Sequence, residues 1–571
     1  MEKYWKIKER TNTTQVDNLA DELNISPVLS NLLVQRNIKT FDEARNFFRP
    51  DLDNLHDPFL MKDMDVAVDR LICAIDGNEN ILIYGDYDVD GTTSVSLLYS
   101  FLKNHYNNID YYIPNRYDEG YGISYIAIDY AAQHEVSLIV ALDCGIKAIE
   151  KINYATKKGV DFIICDHHTP GNDLPKAVAV LDPKRSDCAY PYKELSGCGV
   201  GFKFMQAFSA KTGIAFKNLL EHIDLVAVSI ASDIVPITDE NRILAYFGLK
   251  KLEENPGTGL KTILHKSGIE DKPLGIEDVV FKIGPRINAA GRMESGKQAV
   301  DLLISTNKKE AELLCNKLDA HNDDRRNIDK SITEEAYLEI SQQNHKNKNS
   351  TVLYNPNWHK GVVGIVASRL IETYYRPTII LTESNGFATG SARSVNGFDL
   401  YEAINDCSDL LESFGGHMYA AGLTLKPENV QEFKIRFEKI VSERITPDQL
   451  IPQVEIDAEL NFKDIDDKFY RILKQFAPFG PGNLNPVFFA ENVVDNGTGR
   501  AVGGDGEHLK LSLLQEDDPF RSIPAIAFGQ GKKHSKISNG KAFDIAYTLV
   551  ENHFRGKTTL QLNVKDIKTD G

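Results

Sequence analysis

Residues 81–94 read ILIYGDYDVDGTTS: a short apolar run, three alternating aspartates, then a glycine and hydroxyl residues. Asp86, Asp88, Asp90 and Gly91 match the opening D-x-D-x-D-G of an EF-hand calcium loop. Such a loop closes with a bidentate glutamate at its twelfth position, and counted from Asp86 that position is Leu97. It also follows a helix, whereas Ile81-Leu82-Ile83-Tyr84 has the apolar, β-branched character of a buried strand. Thr92, Thr93 and Ser94 are helix-capping residues ahead of the apolar VSLLYSFL, so the local expectation is strand, acidic turn, helix. On this stretch alone, the carboxylates fit a solvated turn as well as a chemical site.

The 571-residue chain has room for about three to five domains. Its composition, 42% hydrophobic and 26% charged, is that of an ordinary globular protein. The opening MEKYWKIKER lacks the apolar core of a secretory signal, and no stretch reaches the ~18 apolar residues of a membrane span. Seven scattered cysteines without a CxxC pair fit the reduced thiols of a cytoplasm. A net charge of −17 argues against a basic coat for nonspecific nucleic-acid binding, though not against a local basic groove. The last 101 residues hold 13 Lys and Arg against 11 Asp and Glu, so the acidity lies upstream.

From about 80 to 185 the apolar runs ILIY, SLIVAL, DFIIC and AVAVL alternate with helical stretches, which predicts a doubly wound parallel sheet. From Thr306 to about Gln343 the chain is charged and free of Gly and Pro, which predicts one long exposed helix between domains. A second α/β segment spans about 351–445. After Pro452 the runs LKLSLL, SIPAIAF, FDIAYTLV and TTLQLNV, with Gly and Asn turns, predict a small all-β barrel or sandwich.

The acidic turn has partners. SLIVAL ends in Asp143, and DFIIC ends in Asp166, His167 and His168. DLVAVSIASDIVPI carries Asp233 and fits either a strand or a buried helix. Strand C-termini in a parallel sheet share one edge, where ligands bind. Each residue has a plain alternative: Asp143 as a helix cap, the histidine pair as surface or hydrogen-bonded side chains. Together, crowded carboxylates repel one another and lose hydration, which divalent cations relieve. Carboxylates with one imidazole suit Mn²⁺ or Mg²⁺, and two such ions activate water at a phosphoryl centre.

GDYDVDGTTS, LDCGI, DHH and ASDIVPI, in this order, resemble the four motifs of the DHH phosphoesterases. IPNRYDEGYG (113–122), KIGPRINAAGRM (282–293), HKGVVGIVASRL (359–370), SARSVNGFDL (391–400), GGHMYAAG (415–422) and FAPFGPGNLNPVF (476–488) narrow the resemblance to the branch of bacterial single-strand-specific 5′ exonucleases. It covers about residue 50 to the end. The fold it implies is α/β: an N-terminal region (1–50), a parallel-sheet DHH catalytic domain (51–305), a connecting helix (306–345), a smaller α/β DHH-associated domain (346–448) and a C-terminal OB-fold (449–571).

By the same resemblance, Asp88 and Asp143 hold one metal ion, and Asp90, Asp143, His167 and Asp233 hold the other. Tyr84 stands where some relatives carry a histidine ligand, so Asp86 is a further candidate for the first ion or an orienting group. His168 beside the scissile phosphate stabilises charge or protonates the leaving oxygen. Arg116, Ser391, Arg393 and His417 suit the 5′-phosphate, with Gly415, Gly416 and Gly422 allowing close backbone approach; GGH…AAG on its own reads as a packed turn and helix. Arg286 and Arg292 are candidates for tracking the strand, against the plainer reading of surface ion pairs. Phe479, Phe488, Phe528 and Phe554 lie in the β-rich region, without any one assigned to base stacking. The resemblance implies a monomeric cytoplasmic exonuclease releasing 5′-mononucleotides from single-stranded DNA in recombination and repair. Its implied partners are a helicase and a single-strand-binding protein, with no membrane. The alternatives are a phosphodiesterase for short oligonucleotides or cyclic dinucleotides, and a non-catalytic single-strand-binding protein.

Overall fold

The structure, a computed structural model, describes residues 2–9, 12–342, 348–515, 518–538, 540–554 and 556–569. The chain divides into two compact units. One is Pro50–Ile328 with Pro478–Leu484; the other is Met1–Arg49, Asp329–Ala477 and Asn485–Gly571.

The first unit is built on the expected parallel sheet. Its strands are β1 (Asn80–Gly85), β2 (Ile109–Tyr112), β3 (Val136–Leu142), β4 (Asp161–Cys165) and β5 (Ala179–Leu181), ordered β2-β1-β3-β4-β5. All four pairings are parallel. Both faces are apolar and buried, as a sheet covered by helices requires, so the strands read as unbroken hydrophobic runs. One face carries helices α1 (Val89–Lys103), α2 (Gly197–Thr212) and α3 (Ile223–Ser232).

One expectation changes here, and one open alternative is decided. The helix after the acidic turn starts at Val89, earlier than its hydroxyl residues suggested, because Asp88 is its N-cap. Thr92, Thr93 and Ser94 lie inside it, their hydroxyls donating to the Asp88, Val89 and Asp90 carbonyls. The segment before Asp233, left open between strand and helix, is the buried helix α3.

The long helix α4 (Lys308–Gln342) appears as expected, and residues 343–345 lie outside the described residues. Leu313 and Leu338 are exposed on it, while Leu318 and Ile332 are buried.

Among the described residues, the second unit holds two larger sheets and a two-stranded one. In the first, β6 (Thr351–Tyr354), β7 (Thr378–Ser384), β8 (Phe387–Arg393), β9 (Leu411–His417) and β10 (Ala420–Leu425) are ordered β9-β10-β8-β7-β6, and only β6–β7 is parallel. Helix α5 (Val363–Tyr374) packs on it. GGHMYAAG is therefore a β-hairpin, not a turn and helix: the glycines sit in strands, and Met418 and Tyr419 make the turn. The second sheet closes: β11 (Phe488–Asp495), β12 (His508–Gln515), β13 (Asp518–Ala527), β14 (Phe543–Phe554) and β15 (Lys557–Lys568) pair in the cycle β11-β14-β15-β13-β12-β11. A five-stranded closed barrel of this kind is an OB-fold. The N-terminal strand Tyr4–Ile7 adds in parallel to Gln453–Ile456 of this unit, and Trp5 Nε1 donates to Asp566.

Candidate metal centre and phosphate site

Three parallel strands and one helix deliver the acidic cluster. β1 leads into Asp86, Asp88 caps α1, and Asp90 lies in that helix's first turn. β3 leads into Asp143, which takes a left-handed φ of 57°, a conformation short acidic side chains tolerate. β4 leads into Asp166, His167 and His168, and Asp233 caps the C-terminal end of α3. Asp86, Asp90, Asp143, Asp166 and His167 are buried, and Asp233 is 30% exposed.

His167 is the hub. Its Nε2 lies 3.2 Å from Asp143 Oδ1, 3.6 Å from Asp233 Oδ2 and 3.7 Å from Asp90 Oδ2. Neither ring nitrogen has a hydrogen-bond partner, although both are buried. Asp90, His167 and Asp233 form one group able to share a cation, and Asp143, His167 and His168 form another. Asp88 stands outside both groups. Asp86 Oδ2 is buried without a partner, while its Oδ1 accepts from the Gly122 amide at 3.4 Å. Tyr84 does not face this cluster. Its buried ring stacks on Tyr112 at 5.8 Å, and its hydroxyl donates to the Gly122 carbonyl at 2.7 Å.

Burial and mutual repulsion push the cluster's carboxyls upward. Asp86 and Asp233 rise to about 8, Asp88 rises, and Asp143 rises well above the ordinary carboxylate range. Loss of hydration is the largest cause for each, followed by a neighbouring aspartate. Arg116, stacked 4.3 Å above the Tyr87 ring, pulls Asp86 and Asp88 the other way without prevailing. Orphaned imidazole nitrogens, an orphaned carboxylate oxygen and crowded hard oxygen donors are a donor set that fits divalent cations such as Mn²⁺ or Mg²⁺.

His168 differs from its neighbour. Its Nδ1 lies 2.7 Å from Asp166 Oδ1, and Asp166 also accepts from the Ile146, His167 and His168 amides. Those bonds hold Asp166 at about 2, and Asp166 in turn raises His168 to about 9, so the ring is cationic at neutral pH. Its Nε2 reaches the Tyr121 hydroxyl at 3.1 Å.

In the second unit, Ser391, Arg393 and His417 come together on one face of a sheet. Arg393 pairs across β8–β10 with Ala420, which pairs with His417; Ser391 pairs with Gly422, which pairs with Gly415. Alternation puts these positions on one face, with Gly415 and Gly422 leaving bare backbone there. Gly416 falls on the opposite face, opposite Ala421 and Ala392, with φ 146° that excludes a side chain. Arg393 Nη1 donates to Ser391 Oγ at 2.9 Å and to the Ala392 carbonyl at 2.8 Å. No carboxylate pairs with it among the described residues, and desolvation alone lowers its pKa. Gly364, in the first turn of α5, packs so closely that a Cβ there would meet Ser391 Oγ at 3.0 Å and Arg393 Nη2 at 3.1 Å.

The remaining candidates are placed otherwise. Arg286 is tied to Asp319 at 2.7 Å and to the Lys282 carbonyl, the ion pairing weighed against a strand-tracking role. The Arg292 carbonyl accepts from the Tyr117 hydroxyl. Phe488 is barrel core, Phe528 is 60% exposed beside His508, and the Phe554 side chain lies outside the described residues. Phe479 belongs to the first unit, not to the β-rich region.

Comparison with known proteins agrees with this architecture. The DHH family N-terminal domain matches residues 80–230, the DHHA1 domain 347–443 and the RecJ OB domain 456–566. The single-stranded-DNA-specific exonuclease RecJ of Bacillus subtilis is 37% identical over 98% of this chain and 70% of its own length. That of Dickeya dadantii is 34% identical over 98% of both. The chain belongs to the RecJ family. Among solved structures, RecJ of Thermus thermophilus with Mn²⁺ superposes with a TM-score of 0.85 at 25% identity, covering 100% of this chain and 80% of that one. The same Thermus RecJ is also solved with Mg²⁺, at TM-score 0.79.

Within this RecJ chain, sequence reasoning missed three supports of the centre. Gly122 ties Tyr84 to Asp86, and its motif EGYG gave only glycines as a signal. Asp166, which fixes His168, was visible as the aspartate of DHH but was not given that role. Pro478–Leu484 reaches the loop after Asp233: the Ile237 amide donates to the Pro481 carbonyl at 2.7 Å, and Gly480 lies against Ile237 with no room for a Cβ. The glycines and the proline of FGPGN mark that close approach.

Proposed function

We propose that the chain is a single-stranded-DNA-specific 5′→3′ exonuclease that releases 5′-mononucleotides by two-metal phosphodiester hydrolysis. It serves DNA recombination and repair in a bacterial cytoplasm, as a monomer working with a helicase and a single-strand-binding protein. The observation that carries the reading is the set of crowded carboxylates around an unpartnered His167, on a RecJ chain that also carries an OB-fold.

Asp88 and Asp143 would hold one Mn²⁺ or Mg²⁺, with Asp86 beside them; Asp90, Asp143, His167 and Asp233 would hold the other. When bound, two such ions supply Lewis-acid activation of water and neutralise charge on the phosphoryl oxygens. His168, kept protonated by Asp166, has its Nε2 proton available for the departing 3′ oxygen once the Tyr121 hydroxyl gives way. Arg393, Ser391 and His417 bind the 5′-phosphate against the glycine-floored sheet face, and a guanidinium fork suits that oxyanion. Arg116 adds positive charge beside the acidic turn. Arg286 must loosen its Asp319 pair to touch DNA, and Arg292 is the second candidate for tracking the strand.

Single strands labelled at either end, incubated with Mn²⁺ and the purified chain, test the reading beside Asp143→Ala. Mononucleotides should appear from the 5′ end first, and Asp143→Ala should lower the rate by about 10³-fold or more. Full activity in Asp143→Ala removes the shared ligand from the mechanism. Cleavage of dinucleotides but not of long strands would assign the centre to a short-substrate phosphodiesterase.

A further inference from the structure

Asp90 is held by three hydrogen bonds, from groups that no role yet uses. Its Oδ1 accepts from the Cys198 amide at 2.8 Å and from Ser229 Oγ at 2.7 Å. Its Oδ2 accepts from the Gly197 amide at 2.7 Å. Gly197 and Cys198 open helix α2, whose N-cap is Ser196, so the Asp90 carboxylate sits on the amides of a sixteen-residue helix N-terminus. Aligned amides there favour negative charge. Ser229 Oγ also lies 2.7 Å from Ser196 Oγ, and Ser196 Oγ accepts from the Gly199 amide at 3.1 Å. A carboxylate only accepts, so the single Ser229 proton is committed to Asp90, and Ser196 donates its own proton to Ser229. All of these groups are buried.

Lone pairs decide what Asp90 has left. Each carboxylate oxygen offers two. Oδ1 spends both, on Cys198 and Ser229. Oδ2 spends one, on Gly197, and the other is free on the atom 3.7 Å from His167 Nε2. The same helix end constrains Asp143: a Cβ on Gly197 would stand 2.7 Å from Asp143 Cβ and 3.0 Å from its Oδ1. The absence of a side chain at Gly197 lets the helix end approach both aspartates.

We infer that Ser229 and the N-terminus of α2 are positioning groups that make Asp90 a monodentate ligand through Oδ2, and that Ser229 sets the affinity of the ion shared with His167 and Asp233. The inference rests on the ligand reading above and goes beyond it by assigning residues outside that ligand set. Groups that orient a ligand from behind commonly cost about 10- to 100-fold in metal affinity when removed.

Calorimetric Mn²⁺ titration of the purified full chain tests this with no substrate present. Ser229→Ala should weaken one Mn²⁺ event by about tenfold or more while leaving a second event within about twofold, and kcat at saturating Mn²⁺ should recover. Ser196→Ala, which removes the donor to Ser229 and the cap on the Gly199 amide, should weaken the same event by a smaller factor; it also decides the question if Ser229→Ala fails to fold. Wild-type Mn²⁺ affinity in a folded Ser229→Ala or, failing that, a folded Ser196→Ala overturns the inference. Asp90→Asn separates the two readings: if it too binds Mn²⁺ like wild type, the ligand assignment of Asp90 has failed; if it loses the event while Ser229→Ala does not, only the positioning role has failed.

Discussion

The aspartate cluster of one unit is largely buried and Arg393 of the other is half-buried; their charges are opposite in sign, and among the described residues neither has a matching counter-charge. In the cluster, burial and mutual repulsion prevail over Arg116 and His168, and the carboxyls of Asp86, Asp88, Asp143 and Asp233 rise. At Arg393 desolvation acts alone, and the guanidinium is held by a serine hydroxyl and a carbonyl. A structural ion pair would have been completed internally, as Arg286 is by Asp319 or Lys203 by Glu240. Leaving a buried charge unpaired costs several kcal/mol unless an outside ion completes it, by about the amount an isolated ion loses on burial. The cluster is suited to divalent cations and the Arg393 face to an oxyanion.

This comparison breaks most directly at Arg393. Arg393→Ala should raise KM for a 5′-phosphorylated strand by about 10- to 100-fold, the worth of ~1.5–3 kcal/mol for hydrogen bonds to a charged group. A strand with a 5′-hydroxyl should respond far less. Arg393→Lys should rescue little, because an ammonium lacks the fork. Mn²⁺ binding should stay at the wild-type level in both variants. If Arg393→Ala weakens phosphorylated and hydroxyl-ended strands equally, the Arg393 face is not an oxyanion site.

The second effect is on stability. Asp86 and Asp233 have folded values of about 8 against about 3.9 unfolded, so the folded state binds more protons between those limits. Metal-free protein therefore loses stability as pH rises through that window. His168, raised to about 9 from about 6.5 unfolded, contributes stability below pH ~6.5 that is lost as pH rises through 9, in the same direction. Asp166, depressed to about 2, loses its contribution only under acid and leaves this window untouched. Melting of the metal-free chain should fall by on the order of 5 °C between pH 5.5 and 8.5. Saturating Mn²⁺ should flatten that slope and release protons on binding near pH 7. A metal-free melting temperature that rises with pH would contradict the crowded-carboxylate account.

The two sites were not equally legible in the sequence. Asp86, Asp143 and Asp166 follow apolar runs because strand C-termini of a parallel sheet share an edge, and period and composition carry that geometry. The Arg393 site depends on cross-strand register: Ser391, Gly422 and Gly415 share a row only because β8, β10 and β9 pair as they do. Register is set by pairing between distant segments, and nothing local distinguished Gly415 from Gly416. The helix read into GGH…AAG failed for the same reason. Ser229 was illegible in another way, since a serine inside an apolar run looks like filler until Asp90, 139 residues away, is found against it.

The smallest effect is the sharpest test of how the Arg393 face is built. Gly364 lies in the first turn of α5, and glycine is a poorer helix former than alanine. On propensity alone, Gly364→Ala should stabilise the protein. The added Cβ, however, would come within 3.0 Å of Ser391 Oγ and 3.1 Å of Arg393 Nη2, closer than ordinary contact. Those atoms can move by a few tenths of an ångström, so the fold should survive, with the melting temperature unchanged or slightly raised. The guanidinium then leaves its position, and KM for a 5′-phosphorylated strand should rise about threefold, less than ~1 kcal/mol, with kcat unchanged. Stability and substrate affinity moving in opposite directions is the signature of a glycine retained to keep an anion site open. If Gly364→Ala leaves KM unchanged, the first turn of α5 takes no part in holding the phosphate, and Arg393 and Ser391 act without it.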